Sequence, residues 1–229
     1  MIEIPRYTTK LLDKKSLTHN VLELTFEKPE NFSFQAGQFV RFFIPDQTGE
    51  IPRSYSLVST PFDTTLSFCV KLLPEGKASA YFPTMHIGQT IDFDGPRGRF
   101  CVTEQTPLYF VATGSGIAPM LGLIRDELEY KKNTNEISLL FGLRHKEDIF
   151  WQDEFAALQN TYQNFRYNLV LSQPTEEWEG LEGRVTHHLT AHHGDHHFFI
   201  CGSPEMVKDV RSLLLAEKVE MKKIHFEIF

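Results

Sequence analysis

The sequence has few cysteines, and their spacing excludes several metal sites. Only three of the 229 residues are cysteines, Cys69, Cys101 and Cys201, and no two form a Cys-x-x-Cys pair. The chain therefore carries no zinc ribbon and no iron–sulfur cluster of its own. Their odd number and apolar neighbours are typical of small buried thiols in a reducing compartment, so we expect a cytoplasmic protein.

Long apolar runs and net positive charge are also missing. No stretch of eighteen apolar residues occurs, and Met1–Arg6 lacks the shape of a signal peptide, so we expect no membrane span and no secretion. A net charge of −7 argues against general nucleic-acid binding. The 41% hydrophobic and 23% charged content is that of a globular protein, and the length suits one large or two ordinary domains. We expect it to act as a monomer.

The first hundred residues alternate short strands with turns. Besides Arg53–Ser56, the apolar and β-branched patterns predict strands at Val21–Phe26, Phe39–Ile44, Leu66–Lys71 and Ile91–Phe93. A short helix is predicted at Ala78–Phe82, and Gly95–Phe100 is interpreted as a turn because Gly-Pro interrupts regular structure. Short strands punctuated by glycine and proline favour a small antiparallel barrel.

The second half alternates strands and helices. It follows the polar segment Thr103–Pro107, where we place a domain boundary after residue 103. Helices are predicted after Gly116, at Gln152–Asn160 and at Pro204–Glu217. The alternation predicts a parallel sheet with right-handed crossovers. The five predicted strands are Leu108–Ala112, Ile137–Gly142, Asn168–Leu171, Phe198–Gly202 and Ile224–Phe229.

The strand Arg53–Ser56 is unusually polar. Side chains alternate along a strand, so Arg53 and Tyr55 share one face. A guanidinium can bind phosphate through two hydrogen bonds, and a flat ring can stack on an aromatic ligand. The tetrapeptide therefore favours a ligand with a phosphate tail and an aromatic head.

Two strand-to-helix turns follow predicted parallel strands. In Ala112–Pro119 a buried strand ends, glycines allow a tight turn, and a helix begins. Cys201–Pro204 has the same design. Each could be no more than a tight turn, but free N–H groups at such positions bind pyrophosphate, and ligands bind at the carboxyl ends of parallel strands.

Four motifs together resemble the ferredoxin–NADP reductase superfamily in order and spacing, over essentially the whole chain. They are Arg53–Ser56, Gly95–Gly98, Gly114–Pro119 and Cys201–Met206. The resemblance implies a six-stranded antiparallel Greek-key β-barrel over 1–103 that binds FAD. It also implies an α/β domain over 104–229, with a parallel five-stranded sheet, that binds NADH or NADPH.

The resemblance also implies roles for individual residues. Ser56 and Thr113 would be catalytic, next to the point of hydride transfer, and Phe226 or the final residue Phe229 would shield the flavin. Phe226 could equally be a core residue of the last strand. The other implied FAD contacts are Arg53, Ser54, Tyr55, Val70, Lys71, Leu72, Gly76, Lys77, Ala78 and Ser79. The implied NAD(P) contacts are Gly114, Ser115, Gly116, Arg144, Ser172, Arg184, Cys201, Gly202 and Met206.

The choice of nucleotide depends on a cation for the 2′-phosphate of NADP. Members of the superfamily that use NADP commonly have arginine after the serine that follows the third strand, whereas this chain has Gln173 after Ser172. This difference favours NADH. Arg144 and Arg184 are cations that could instead favour NADPH.

The histidines are concentrated near the C-terminus. Six of the ten are His187, His188, His192, His193, His196 and His197. Histidine-rich tracts can bind metal, but the only acidic residue close by is Asp195. We interpret the tract as a solvated connection and predict no metal site.

The implied activity is that of an FAD-dependent ferredoxin (or flavodoxin)–NAD(P)+ reductase. Such a flavoprotein moves a hydride between NAD(P)H and flavin N5, and single electrons between flavin and a carrier, in either direction. Since the chain has no iron–sulfur motif, the carrier would be a separate ferredoxin or flavodoxin. One alternative is an NAD(P)H:free-flavin reductase, against which the loop Gly76–Ser79 favours resident FAD. Another is a non-catalytic electron-transfer subunit of a larger complex.

Overall fold

Two six-stranded sheets organise the residues described by this computed structural model, which are 4–47, 49–189 and 195–228. The first sheet is antiparallel, in the order β4-β3-β6-β1-β2-β5, and a bridge between Leu57 and Phe68 joins its two ends into a barrel. Its strands are β1 Arg6–Thr18, β2 Val21–Glu27, β3 Phe39–Asp46, β4 Gly49–Ser56, β5 Thr65–Lys71 and β6 Thr90–Arg97. Helix α1, Lys77–Tyr81, lies between β5 and β6.

The barrel interior is aromatic because alternate side chains of its strands face inward. On β3, Val40, Phe42 and Ile44 are fully buried while their neighbours are partly exposed. The ring of Phe42 lies 4.9 Å from that of Phe68 and 5.8 Å from that of Phe93. These contacts fix β3 in the barrel, and β4 pairs directly with β3.

The interpretation of Gly95–Phe100 as a turn was wrong, because β6 continues to Arg97. Arg97 pairs with Phe39 and Asp94 pairs with Arg41, with a register shift between the two pairs. Such an irregularity lets the ladder pass a proline that has no N–H to donate. The segment 98–107 has no regular secondary structure, and the boundary predicted after residue 103 falls within it.

The second sheet is parallel, with the order β10-β9-β8-β7-β11-β12. Its strands are β7 Leu108–Thr113, β8 Ile137–Leu143, β9 Phe165–Leu171, β10 Leu181–Glu182, β11 His197–Gly202 and β12 Ile224–Ile228. The predicted alternation and parallel sheet are confirmed, but the predicted count of five strands was wrong. The sixth, β10, has only two residues, which is too short for a period to be seen.

The helices of this half are α2 Ile117–Arg125, α3 Gln152–Thr161 and α4 Pro204–Ala216. Helix α2 continues into a π-helical turn, Asp126–Tyr130. Among the described residues, no helix combines the length and the apolar character needed to cross a membrane. Cys69 and Cys201 are buried, and Cys101 is partly exposed.

The barrel packs directly on one face of the parallel sheet. Val58 and Phe100 of the barrel side share a core with Phe110 and Phe199 of β7 and β11. The opposite face packs against α4, with Val210 at its centre. The carboxyl ends of the parallel strands therefore lie beside β4.

Candidate active site

A cavity of about 1320 Å³ lies between the barrel and the carboxyl ends of the parallel strands. This exceeds the roughly 300–1,000 Å³ typical of sites for drug-sized ligands, so two nucleotide-sized ligands could share it. The predicted residues that line it from the barrel are Arg53, Ser54, Tyr55, Lys71, Gly76, Lys77, Ala78 and Ser79. Those that line it from the α/β side are Thr113, Gly114, Ser115, Arg144, Ser172, Arg184, Gly202 and Met206.

Some predicted residues do not line this cavity. Ser56, Val70, Gly116 and Cys201 are buried, and Leu72 packs partly against the barrel core. Phe229 lies outside the described residues.

Phe226 lies away from the cavity. It is 40% exposed, and the guanidinium of Arg211 on α4 lies 3.9 Å from its ring centre. Its neighbour His225 stacks on Phe199, on the face that packs against the barrel. Since side chains alternate along a strand, Phe226 faces the α4 side, and the structure does not bring it to Ser56 or Thr113.

Strand β4 presents a cation and an aromatic ring to the cavity. The exposed guanidinium of Arg53 donates to the carbonyl of Pro52 at 2.9 Å and has no other partner among the described residues. The ring of Tyr55 is held against Phe82, with a centroid distance of 5.4 Å. Burial raises the pKa of Tyr55 to about 12, against the opposite effect of nearby Arg53, so the phenol stays protonated.

The loop before α1 adds two polar groups to the same wall. The hydroxyl oxygen of Ser79 accepts the N–H of Leu73 at 2.8 Å, and its own proton is left to donate. A Cβ at Gly76 would lie 2.7 Å from that oxygen, so a larger residue there would displace the Ser79 side chain. Lys77 forms an exposed ion pair with Asp46 at 3.1 Å. The loop is thus held in place by its own contacts.

Ser56 has a buried hydroxyl at the end of the strand that carries Arg53 and Tyr55. Its side chain is only 3% exposed, and its hydroxyl has no hydrogen-bond partner among the described residues. A buried polar group left without a partner costs about 1–3 kcal/mol. The Arg53 cation and the Tyr55 ring line the cavity from one face of this strand and fit a flavin dinucleotide, which has a pyrophosphate and a flat ring system.

The two glycine turns on the α/β side press against each other. A Cβ at Gly116 would lie 2.3 Å from the carbonyl oxygen of Cys201, and a Cβ at Gly202 would lie 2.2 Å from Thr113 Oγ1. The same Thr113 oxygen accepts the N–H of Ser203 at 3.4 Å. Because no side chain separates the two turns, their backbone groups form one surface, which we call the floor of the cavity. A nucleotide can approach the backbone closely there.

Two arginines extend this floor beyond the turns. Arg144 follows β8 and Arg184 follows β10, and both line the cavity. Both are exposed, and neither has a side-chain partner in the part of the chain that the structure describes. Ser172 and Gln173 line the cavity at the end of β9, with the Gln173 N–H bonded to the carbonyl of Arg144 at 2.9 Å. Two cations are therefore available for a phosphate in the same cavity.

Glu227 is a notable residue that the sequence reasoning missed. It pairs in register with Cys201, and its Oε1 lies 3.4 Å from where a Cβ of Gly98 would be. Burial raises the pKa of Glu227 to about 7. Strand alternation could have found it, because it stands next to Phe226 on β12 and faces the other way. Glu227 does not line the cavity, but six residues that were not predicted do: His19, Asn20, Leu73, Glu75, His187 and Asp209.

Glu227 should make stability depend on pH. Folding raises its pKa from 4.5 to about 7, so across that window the folded protein holds a proton that the unfolded chain has lost. Stability should therefore fall as pH rises through this window, and Glu227→Gln should remove that fall. Burial lowers the pKa of His197 and His225, so these two groups make the unfolding free energy rise with pH in part of the same range. The measurement is the difference in unfolding free energy between wild type and variant from pH 5 to 8; a difference that does not change with pH would contradict the prediction.

The histidine tract is only partly described. His188 Nε2 lies 2.7 Å from the carbonyl oxygen of Glu182, and His197 Nδ1 lies 3.3 Å from His225 Nε2. His192 and His193 lie outside the described residues. Among the described residues, no three histidine, cysteine or acidic side chains are grouped as a metal site would need.

Known proteins resemble the chain along its whole length. Residues 8–101 match the family described as oxidoreductase FAD-binding domain, and residues 110–212 match the oxidoreductase NAD-binding domain. The chain is 34% identical to ferredoxin–NADP reductase B of Sorangium cellulosum, over 99% of both proteins. It is 30% identical to the anthranilate 1,2-dioxygenase electron transfer component of Acinetobacter baylyi, over 87% of this chain and 59% of that protein. A ferredoxin NADP+ reductase structure from Neisseria gonorrhoeae, with bound FAD and NADP, matches with a TM-score of 0.87 and 30% identity over 99% of both chains.

Proposed function

Because the chain belongs to the ferredoxin–NADP reductase superfamily of FAD- and NAD(P)H-dependent oxidoreductases, we propose that it is a ferredoxin or flavodoxin–NAD(P)+ reductase. The observation that carries the proposal is the cavity in which Arg53 and Tyr55 of β4 lie opposite the two glycine turns. The similarity to ferredoxin–NADP reductase B of Sorangium cellulosum supports ferredoxin as the partner.

The residues of the cavity divide the work between binding and orientation. When bound, FAD supplies the redox chemistry, taking up a pair of electrons as hydride and releasing them singly. Arg53 binds a phosphate, Tyr55 packs against the ring system, and Ser56 donates or accepts a hydrogen bond at its edge. Thr113 and the turn after it hold the nicotinamide nucleotide.

Arg53→Ala should weaken FAD binding by about 2 kcal/mol, because a charge-assisted phosphate contact is lost. Flavin retained after gel filtration, and affinity measured on the flavin-free protein, test this. Arg6→Ala is the matched control, since Arg6 pairs with Glu50 and Asp92 on the barrel surface. Full flavin retention in Arg53→Ala would remove Arg53 from the site. Wild-type protein that is colourless but reduces added flavin would indicate a free-flavin reductase instead.

We propose NADPH as the preferred nucleotide. Gln173 favours NADH, but Arg144 and Arg184 bring to the same cavity two cations that have no side-chain partner among the described residues, and the matched Neisseria structure holds NADP. Arg144→Ala should lower kcat/KM for NADPH about 10-fold, because one contact to the 2′-phosphate is lost. It should lower kcat/KM for NADH less than twofold, because NADH has no 2′-phosphate. Arg166→Ala, an exposed change on β9, is the control. Equal losses with both nucleotides would contradict the proposal.

A basic surface beside the end of β4 suits an acidic carrier. Arg41 and Arg97 both bond the buried carboxylate of Asp94, and Arg99 is exposed. Although burial opposes it, hydrogen bonds from Arg97 and Arg41 hold the pKa of Asp94 below its usual range, so two guanidiniums share one ionised carboxylate and the group keeps a net positive charge. Phe39 pairs with both Ser56 and Arg97, which places this surface near the flavin strand.

The partner is tested by cytochrome c reduction with candidate ferredoxins and flavodoxins added one at a time. The true carrier should raise the rate, and the increase should shrink as salt rises, because exposed charges are screened. If no carrier raises the rate while flavin is still reduced by NAD(P)H, the protein is better explained as an electron-transfer subunit of a larger complex.

A further inference from the structure

A group of side chains joins the barrel to the far end of α2. Arg125 Nη1 donates to Asp63 Oδ2 at 2.9 Å and Nη2 to Oδ1 at 3.2 Å, and the same guanidinium bonds Glu129. Beside this pair the rings of Phe62 and Tyr130 stack with centroids 4.3 Å apart. We call these five residues the latch. Asp63 and Phe62 belong to the barrel, and the other three belong to α2 and its π-helical extension.

The barrel side of the latch is rigidly held. Asp63 Oδ2 also accepts the N–H of Thr60 at 2.8 Å, which fixes the carboxylate to its own loop. Lys28 Nζ donates to the carbonyl of Asp63 at 3.1 Å and also to that of Pro61, which ties the loop to the end of β2. Asp63 therefore cannot move without moving its loop and the end of β2.

Between the latch and the cavity, two chain segments run in direct contact. Leu57–Ser59 follows Ser56, and α2 follows the Gly114–Gly116 turn. A Cβ at Gly122 would lie only 3.0 Å from the carbonyl oxygen of Val58, so helix backbone lies on barrel backbone with no side chain between. The nine residues of α2 span about 13 Å. Each of these two segments begins at the candidate site, at Ser56 or at the Gly114–Gly116 turn. The latch joins the two segments at their other ends.

We propose that Arg125 is a positioning residue, which fixes the distance between Ser56 and the Gly114–Gly116 turn by clamping Asp63 to α2. The proposal rests on the site assigned above. The side chains of Arg125 and Asp63 are 28% and 20% exposed, so their pairing is screened less than a surface ion pair. Reacting groups must approach to about 3–3.5 Å, and a misplacement of about 1 Å can cost 100-fold in rate. A clamp remote from the chemistry can therefore control the rate.

The test compares Arg125→Met with Arg6→Met in the flavin-loaded protein. Arg6 also makes two ion pairs, but both lie within the barrel. With saturating NAD(P)H, rapid mixing should show flavin reduction about 10-fold slower in Arg125→Met, while flavin content and nucleotide Kd stay within twofold of wild type. Hydrogen exchange without nucleotide should rise in residues 57–63 and 117–125. Arg6→Met should change neither.

The conservative variant provides the rescue. Arg125→Lys keeps a cation between Asp63 and Glu129, leaves the bond from Thr60 to Asp63 in place, and should recover part of the lost rate. If Arg125→Met does not accumulate as folded protein, Asp63→Asn replaces it and should slow reduction in the same way.

The proposal is overturned if the rate stays within twofold of wild type, or if flavin loss alone accounts for the change. Failure of the site itself would look different. Arg53→Ala would then keep its flavin, whatever Arg125→Met does.

Discussion

Replacing Ser56 by alanine should slow flavin reduction by NAD(P)H about 100-fold while leaving the flavin-free protein at least as stable as wild type. The two halves of this expectation come from one observation. The Ser56 hydroxyl is buried and has no partner among the described residues, so in the flavin-free protein it contributes only a desolvation cost. Removing it relieves that cost. In the loaded enzyme the same hydroxyl would be the polar group nearest the reacting edge of the flavin. Losing one oriented hydrogen bond there would raise the barrier to flavin reduction.

Thr60→Val is the matched control for Ser56→Ala. Thr60 is also buried, and its hydroxyl also lacks a partner in the described part of the chain, but it lies beyond the end of β4 and away from Arg53 and Tyr55 in sequence. Both variants should melt at or above the wild-type temperature when flavin-free, and only Ser56→Ala should be slow in rapid-mixing measurements. Wild-type speed in Ser56→Ala would show that the hydroxyl has no part in the reaction. A similar slowing in Thr60→Val would trace the effect to general packing.

Local patterns predicted the parts of the cavity that depend on local rules. The run Leu108–Ala112 is apolar throughout because β7 is buried on both faces, and the glycines after it mark the turn before α2. Arg53 and Tyr55 are two residues apart on a strand and do line one cavity. In each case the side-chain period and the turn chemistry are properties of a few consecutive residues.

Contacts between distant segments could not be read in this way. No local pattern predicts that β6 continues through Gly95-Pro96, because the ladder there depends on a register shift against Phe39 and Arg41. Strand β10 exists only because Leu181 and Glu182 happen to lie beside β9. Both errors concern pairing partners rather than propensity.

The last strand shows how one position decides a role. Phe226 and Glu227 are adjacent, so they face opposite sides of the sheet, and nothing local tells which side meets the barrel. The stacking of His225 on Phe199 settles the register and gives Glu227 the barrel side. In the same way, Arg144 and Arg184 follow different strands, and only the strand order brings both to the end of β9.

A second large effect is expected from Gly116→Ala, which should lower kcat/KM for NAD(P)H at least 100-fold, about 3 kcal/mol, while FAD stays bound. Gly116 has an ordinary φ of −62°, so its backbone torsions do not require glycine. Glycine is required because there is no room for a Cβ. The added Cβ would lie 2.3 Å from the carbonyl oxygen of Cys201 and 2.7 Å from the Cα of Gly202. These obstacles are backbone atoms that cannot rotate away. The Gly114–Gly116 turn must therefore move away from Gly202, and the surface that binds the nucleotide is disrupted.

Gly88→Ala separates this steric effect from a torsional one. Gly88 has a φ of +89° and open space within 4 Å of an added Cβ, so alanine there costs about 1–2 kcal/mol of backbone strain without a clash. Gly88 lies outside the cavity. It should therefore lose some thermal stability and keep kcat/KM within twofold, whereas Gly116→Ala should lose NADP+ affinity in calorimetric titration. Unchanged affinity and turnover in Gly116→Ala would mean that the two turns do not carry the nucleotide, because no substitution at that position can leave their contact intact.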